Sequence, residues 1–138
     1  EKDDKEGYAE TQRLIVACLV FQERYAEAKQ RIKEQIEAFD RSDDKYGSVL
    51  LRLSQANLAT LEGDAESGFS VLDGLQAPLM LINNTRLTVL VGLARARLLI
   101  RTEKLGKAWD ECKAARKIAE TAGDKLSQAF CLSLESVI

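Results

Sequence analysis

The sequence predicts an all-α fold, built as an α-solenoid of antiparallel helix pairs. One observation is a phrase that recurs every forty residues, with Asp4, Asp44, Asn84 and Asp124 in equivalent positions. Such side chains accept hydrogen bonds from the free N–H groups that open a helix, so each position predicts a helix start. Composition agrees, because the chain has one proline, 6% aromatic residues and no sustained alternation of β-branched residues.

Each forty-residue unit is predicted to hold two helices. Apolar residues such as Leu50 and Leu53 recur at helical spacing between the marked starts. Ala28, Gly68 and Ala108 share one column of the repeat, where two helices must approach closely. We expect first helices over residues 5–22, 45–62, 85–102 and 125–138, and second helices over residues 25–40, 65–77 and 105–121.

The repeat also predicts the domain organisation. We expect one domain over residues 1–138, with units at about 4–43, 44–83 and 84–123 and a half unit at 124–138. One helix pair cannot bury its own apolar face, so each pair must stack on the next. The chain opens with Glu1 and its last helix is apolar without a following partner. We therefore expect a piece of a longer array, or a last helix that docks on a partner or a second copy.

Several short motifs at this spacing resemble the tetratricopeptide repeat. Residues 25–28, Tyr-Ala-Glu-Ala, are similar to its turn into the second helix, and residues 62–64, Glu-Gly-Asp, are similar to its Gly-Asp turn. Ala96 and Ala108 stand where that family has small residues. The period is longer than the family's 34 residues, as in extended repeats of bacterial signalling regulators and eukaryotic scaffolds. The resemblance implies a right-handed solenoid of about seven helices and a protein-binding scaffold without catalysis.

Residues that carry common enzyme chemistry are missing from the sequence. The chain has no histidine, which excludes Ser-His-Asp and Cys-His nucleophile pairs and imidazole metal sites. The acidic pairs at residues 3–4 and 43–44 are explained by the helix dipole at a helix start. The glycines are isolated, as expected of turns, and form no phosphate-binding loop. We therefore expect no enzymatic activity, no cofactor and no metal.

The cysteines and the hydropathy pattern bear on location. Cys18, Cys112 and Cys131 lie on apolar helical faces, so we expect small buried residues in a reducing compartment. No stretch reaches the roughly 18 apolar residues of a membrane span, and no signal peptide opens the chain. These observations favour an intracellular location, cytoplasmic or nuclear, without a membrane partner.

Charge is concentrated in the third unit. Residues 81–117 carry nine basic and three acidic side chains, whereas residues 1–80 carry ten and sixteen. First helices line the concave groove of tetratricopeptide arrays, so the resemblance implies that Arg13, Asn57, Arg97 and Arg101 face a ligand. Arg97 and Arg101 are neighbours on one helix face, because they are four residues apart. An acidic peptide or helix of a partner protein is the favoured ligand.

One specificity of that family can be tested on the sequence. Arrays that grip the C-terminal carboxylate of chaperone tails use Lys, Asn, Asn, Lys and Arg at five groove positions. The corresponding positions of this chain hold Arg13, Ala17, Ser54, Leu90 and Ala94. Only the first is chemically similar, so the sequence argues against a chaperone-tail clamp.

Two alternatives remain open for the basic unit. Nucleic acid is one, because lysines such as Lys104 and Lys107 follow the arginines in sequence. Phosphate binding usually needs a wider basic face, and Trp109, the stretch's one aromatic residue, is expected to pack on the adjoining helix pair. The other alternative is an effector-sensing repeat domain of a bacterial transcription regulator.

The C-terminal helix carries an apolar stripe. Phe130, Leu134, Val137 and Ile138 follow i, i+4, i+7, i+8 spacing, which predicts a face that must be buried. Each fully buried side chain of this size contributes about 1.5–3 kcal/mol. We therefore expect the chain to self-associate through residues 125–138. Residues 136–138 also fit a C-terminus read by strand addition, a further alternative.

Overall fold

The computed structural model describes residues 2–138, with side chains from residue 4 onward. Within this range the fold is all-α, as the sequence predicts, and holds no strand. Each of the seven predicted helices is present, and the fourth is divided into two short helices. The helices are α1 (Lys2–Phe21), α2 (Tyr25–Arg41), α3 (Lys45–Leu61), α4 (Ala65–Asp73), α5 (Gln76–Ile82), α6 (Thr85–Arg101), α7 (Leu105–Ala122) and α8 (Lys125–Glu135).

The turns between helices repeat every twenty residues. Each contains one residue with left-handed backbone geometry, and the six are Glu23, Asp43, Gly63, Asn83, Glu103 and Gly123. In five turns the next amide donates to the carbonyl five residues back, as from Asp44 to Phe39 at 2.9 Å. This bond pattern satisfies carbonyls at a helix C-terminus. The forty-residue repeat is therefore two similar helix-and-turn halves.

Three of the four predicted helix starts are confirmed as caps. The side chains of Asp44, Asn84 and Asp124 accept hydrogen bonds from backbone amides three residues later, at 3.0 Å in each case. The prediction for Asp4 is wrong, because α1 begins at Lys2 and Asp4 lies in its first turn. A negative side chain is stabilised there by the helix dipole instead of by a capping bond. The side chain of Asp3 lies outside the described residues.

Two predicted helix boundaries are wrong by several residues. The helix expected over 65–77 ends at Asp73, and a second helix, α5, continues to Ile82. Pro78 explains the break, because a proline cannot donate to the carbonyl four residues earlier, which belongs to Gly74, and its ring clashes there. The helix expected over 125–138 ends at Glu135, followed by a turn at Ser136 and Val137.

Helix pairs pack in sequence order. The two helices of a unit pack together, and each second helix also packs against the first helix of the next unit. The first helices form a continuous row, in which α1 contacts α3, α3 contacts α6, and α6 contacts α8. Leu50, Leu51 and Leu72 are fully buried in the larger of two core clusters. The smaller cluster joins α6, α7 and α8 around Val89 and Cys131.

The predicted burial of the cysteines is confirmed for two of the three residues. Cys112 and Cys131 are fully buried, and burial raises the pKa of the Cys112 thiol to about 11. Cys18 is exposed, contrary to the expectation. Its equivalents one and two repeats later, Leu58 and Leu98, are buried. Those two lie on helices that pack against the second helix of the preceding unit, and α1 has no such helix against it in the described chain.

Candidate functional site

A groove with a volume of about 720 Å³ runs along the row of first helices. Its lining side chains come from α1, α3, α6 and α8, together with Val137 just after α8. Three arginines, Arg13, Arg86 and Arg97, line it, and among the described side chains no carboxylate does. The remaining lining is mostly apolar, with Asn57 among a few neutral polar side chains. The helices that stack the repeat thus also form a concave and mostly apolar surface.

Four lining residues of the groove occupy one column of the repeat. Ala17, Asn57, Arg97 and Val137 are separated by forty residues each and all line it. Because equivalent positions of stacked first helices lie side by side, these four residues form one row across the groove. Arg13 lies one helical turn before Ala17 on α1 and lines the same groove.

The structure separates the four groove candidates. Arg13, Asn57 and Arg97 line one groove. Arg101, four residues after Arg97 in the last turn of α6, is exposed and is not among the lining side chains, although Phe21 and Leu61 of the same repeat column are. That Arg97 and Arg101 act together on a ligand stays a prediction.

Glu10 links three of the helices beside the groove. Its Oε2 lies 2.8 Å from Arg13 Nε on α1, and its Oε1 lies 3.0 Å from Arg86 Nη1 on α6. The hydroxyl of Tyr46 on α3 donates to the same Oε1 at 3.0 Å. One carboxylate therefore neutralises part of the charge of two groove arginines and joins the first, second and third units.

The pKa values in this network shift in opposite directions. Burial alone would raise the pKa of Glu10, but the hydrogen bonds from Arg13 and Tyr46 and the nearby arginine charges outweigh it and lower the pKa. Burial, and then the charge of Glu10, raise the pKa of Tyr46 to about 12. Near neutral pH the network therefore consists of a carboxylate, a neutral phenol and two cations.

Arg97 differs from the other two groove arginines. In the described part of the chain no carboxylate lies within 4 Å of it, whereas Arg13 and Arg86 both pair with Glu10. Its side chain is exposed, yet the concave surface around it partly desolvates the guanidinium and lowers its pKa. A guanidinium is not deprotonated in proteins, so Arg97 stays charged near neutral pH. Among the described residues it is a cation without an acidic partner on a concave, largely apolar surface.

Exposed apolar side chains flank this charge on both sides. Phe21 is 90% exposed and Leu61 is 49% exposed, at the ends of α1 and α3. On the other side, Phe130 is 49% exposed and Val137 is 68% exposed. All four line the groove. Exposed side chains of this size gathered on one concave surface are typical of an interaction site.

The structure places most of the C-terminal apolar stripe in the groove. Phe130, Leu134 and Val137 were expected on an open end of the array, but they line the groove, and Ile138 is partly buried outside that lining. The side of α8 away from the groove instead carries Leu132, which is 50% exposed. The predicted self-association surface and the predicted groove are thus largely one surface, because consecutive first helices share their concave face.

Other basic residues of the third unit do not add to the groove. Arg95 lies 2.8 Å from Asp73, and Arg116 lies 3.0 Å from Glu135. The lysines lie outside the lining, mostly on α7, and Lys104 stands over the ring of Phe69 at 5.6 Å from its centroid. Trp109, expected to pack against the adjoining pair, keeps 41% of its surface exposed.

No motif in the sequence predicts the Glu10 network. Tyr46 and Arg86 share one column of the repeat, and Glu10 lies one helical turn beyond that column in the first unit. This placement is the only signal the sequence contains, and it becomes informative only when the curvature of the array brings the first and third units together.

Known proteins give no further guide to the site. Comparison with protein-family models, with curated proteins and with solved structures returned no match. Among the described residues, no cluster of three or more His, Cys, Asp or Glu side chains is placed to hold a metal ion. No helix in this part of the chain combines the length and apolarity that crossing a membrane requires.

Proposed function

We propose that this chain is a tetratricopeptide-like interaction module whose concave groove holds a peptide or helix of a partner protein within a larger assembly. The observation that carries the proposal is the groove itself, in which Arg97 of α6, unpaired among the described residues, lies between exposed apolar side chains of α1, α3 and the C-terminal segment. Under this proposal the first helices provide the binding surface and the second helices provide its support.

The chemistry of the lining supports a peptide segment. Apolar side chains such as Phe130 and Val137 offer area for burial, and Asn57 offers both a donor and an acceptor for a peptide backbone. An amphipathic or extended segment can use all three kinds of contact at once.

The charge distribution favours a peptide over nucleic acid. Backbone phosphates are bound by several cations on one face, which release counterions on binding. Here Arg86, Arg95 and Arg116 already pair with carboxylates of the chain. The α7 lysines lie outside the groove that holds Arg97. The basic third unit is thus divided between paired arginines, scattered lysines, the exposed Arg101 outside the groove and Arg97, its one groove cation without an acidic partner among the described residues.

Peptide selection from a random library tests the proposal. Peptides selected on the wild-type chain are labelled and titrated by fluorescence anisotropy against Val137→Glu and against Leu132→Glu. Both residues are exposed apolar side chains near the C-terminus, but only Val137 lines the groove. We expect Val137→Glu to weaken binding at least tenfold and Leu132→Glu to change it less than threefold.

Two outcomes would contradict the proposal. One is the absence of any selected peptide that binds the folded chain. The other is equal binding by Val137→Glu and the wild type while circular dichroism shows both to be folded.

A further inference from the structure

The groove arginines differ in whether a carboxylate of the protein already pairs with them. Arg13 and Arg86 share the carboxylate of Glu10, at 2.8 and 3.0 Å, on its two different oxygens. Tyr46 donates a third bond to the same carboxylate. Glu10 is thus held as an internal anion beside the groove, and a ligand carboxylate that approached these two arginines would have to compete with it.

Arg97 is the groove cation that remains available. Among the described side chains no acidic group pairs with it, and although it is exposed, its position in the concave groove partly desolvates the guanidinium. A cation that is partly desolvated before binding loses less hydration when an anion arrives, and a guanidinium can hold a carboxylate through two parallel hydrogen bonds.

The surroundings of Arg97 define what must flank that anion. In the repeat row its neighbours are Asn57 on α3 and Val137 beyond α8, while Leu90 and Leu93 line the groove on its own helix. None of these side chains is charged. Within the lining, a second carboxylate placed next to the first would therefore meet apolar walls or the arginines that Glu10 occupies, and Arg101, one turn later on α6, lies outside that lining.

We infer that the groove selects an apolar peptide segment with one carboxylate, which Arg97 binds, and that Glu10 excludes a second carboxylate by occupying Arg13 and Arg86. This inference rests on the proposed function and adds the chemical class of the ligand. Arg97 is the specificity-determining contact, and Glu10 is a positioning residue that acts through the other two arginines.

The test repeats the peptide selection on the wild type, Arg97→Gln and Glu10→Gln. We expect wild-type peptides to carry one Asp or Glu among apolar residues, and Arg97→Gln peptides to lose that acidic residue. Glu10→Gln should bind a derivative with a second acidic residue about tenfold more tightly than the wild type does. Arg101→Gln serves as the matched control, because Arg101 lies on the same helix outside the groove lining.

A second variant keeps the test decisive if Glu10→Gln fails to fold. Arg86 is half exposed, so Arg86→Gln should be tolerated, and it leaves Glu10 charged with one cation fewer. Affinity for the doubly acidic derivative should then fall at least threefold below that of the wild type.

Failure of this inference is distinguishable from failure of the proposed function. The inference is overturned if peptides selected on the wild type are not enriched in acidic residues, or if peptides selected on Arg97→Gln keep that enrichment. Groove binding is judged separately, from the effect of Val137→Glu, and can stand in either case. Unchanged affinity of Glu10→Gln and Arg86→Gln for the doubly acidic derivative would overturn the role of Glu10. Binding that is insensitive to Val137→Glu would remove both the function and the inference.

Discussion

Arg86 Nη1 lies 3.0 Å from Glu10 Oε1, although the two residues are 76 positions apart. Glu10 belongs to α1 and Arg86 to α6, and α3 lies between these helices in the row of first helices. The pair therefore links the first and third units beside the groove. Tyr46 on α3 donates to the same oxygen, so three of the first helices meet at this carboxylate.

Acid should weaken the fold through Glu10. Its folded-state pKa is lowered below the unfolded value of about 4.3, so its contribution is present above that pH and is lost as the pH falls through the folded pKa. We expect Glu10→Gln to lower the free energy of unfolding by about 1–2 kcal/mol at pH 7. The difference from the wild type should shrink below about pH 4, as measured by urea unfolding.

Glu37→Gln is the control for this experiment, because Glu37 is exposed on α2. Its effect should stay within about 0.5 kcal/mol. A difference between Glu10→Gln and the wild type that is constant from pH 7 to pH 3 would rule out the ionic origin of this contribution.

Two glycines in one repeat column should respond oppositely to alanine. A Cβ at Gly47 would lie 2.5 Å from Cδ1 of the buried Phe39, whereas a Cβ at Gly7 would meet nothing within 4 Å. We expect Gly47→Ala to cost about 1–3 kcal/mol through overpacking. Gly7→Ala should stabilise by up to about 1 kcal/mol, since alanine is the better helix former. Thermal unfolding checks the pair, and equal shifts for both would contradict the packing at Phe39.

Removing one partner of the ion pair between α7 and α8 should destabilise the fold more than removing the other. Arg116 Nε lies 3.0 Å from Glu135 Oε1, and the Glu135 side chain is only 8% exposed, without a well-aligned hydrogen bond at that oxygen. Arg116→Ala leaves a buried carboxylate without its cation and should cost about 1–3 kcal/mol. Glu135→Gln should cost less, because Arg116 keeps Glu120 within 3.8 Å. Urea unfolding measures both variants, and a larger loss for Glu135→Gln would contradict this arrangement.

Self-association through the C-terminal stripe stays a prediction, and the structure sharpens its test. Phe130 and Val137 are exposed and line the groove, so burial against a second copy is favourable. We expect light scattering of the wild type to show a mass that rises with concentration. Val137→Asp should abolish the rise, and Leu132→Asp, on the other side of α8, should not. A strictly monomeric wild type at high micromolar concentration would contradict the prediction.

The fold was readable from the sequence because its signals are local and repeated. Asp44, Asn84 and Asp124 cap helices through bonds to amides three residues away, so their spacing alone predicts three of the helix starts. The break at Gly74 was missed because the prediction placed Pro78 beyond the helix end, where a proline has no effect on hydrogen bonding. In the structure a second helix, α5, includes Pro78 and continues to Ile82, so the proline separates α4 from α5.

The site could be predicted from the sequence only in part, for a different reason. Columns of the repeat placed Asn57 and Arg97 on one surface, because equivalent residues of stacked helices lie side by side. Arg101 was assigned to the same surface from helical spacing and from its repeat column, and neither shows which side chains line the groove along α6. The pairing of Glu10 with Arg86 depends on how the stacked units pack together, which no local pattern encodes.

Binding of a partner segment in the groove of α1, α3, α6 and α8 is the central claim, and amide chemical shifts test it most directly. A selected peptide is titrated into the ¹⁵N-labelled chain. We predict that the largest shift changes fall at groove positions such as Asn57, Arg97 and Val137, with little change at Lys113 and Lys117 on α7. Changes concentrated on α2 and α7, with the groove residues unaffected, would contradict the account.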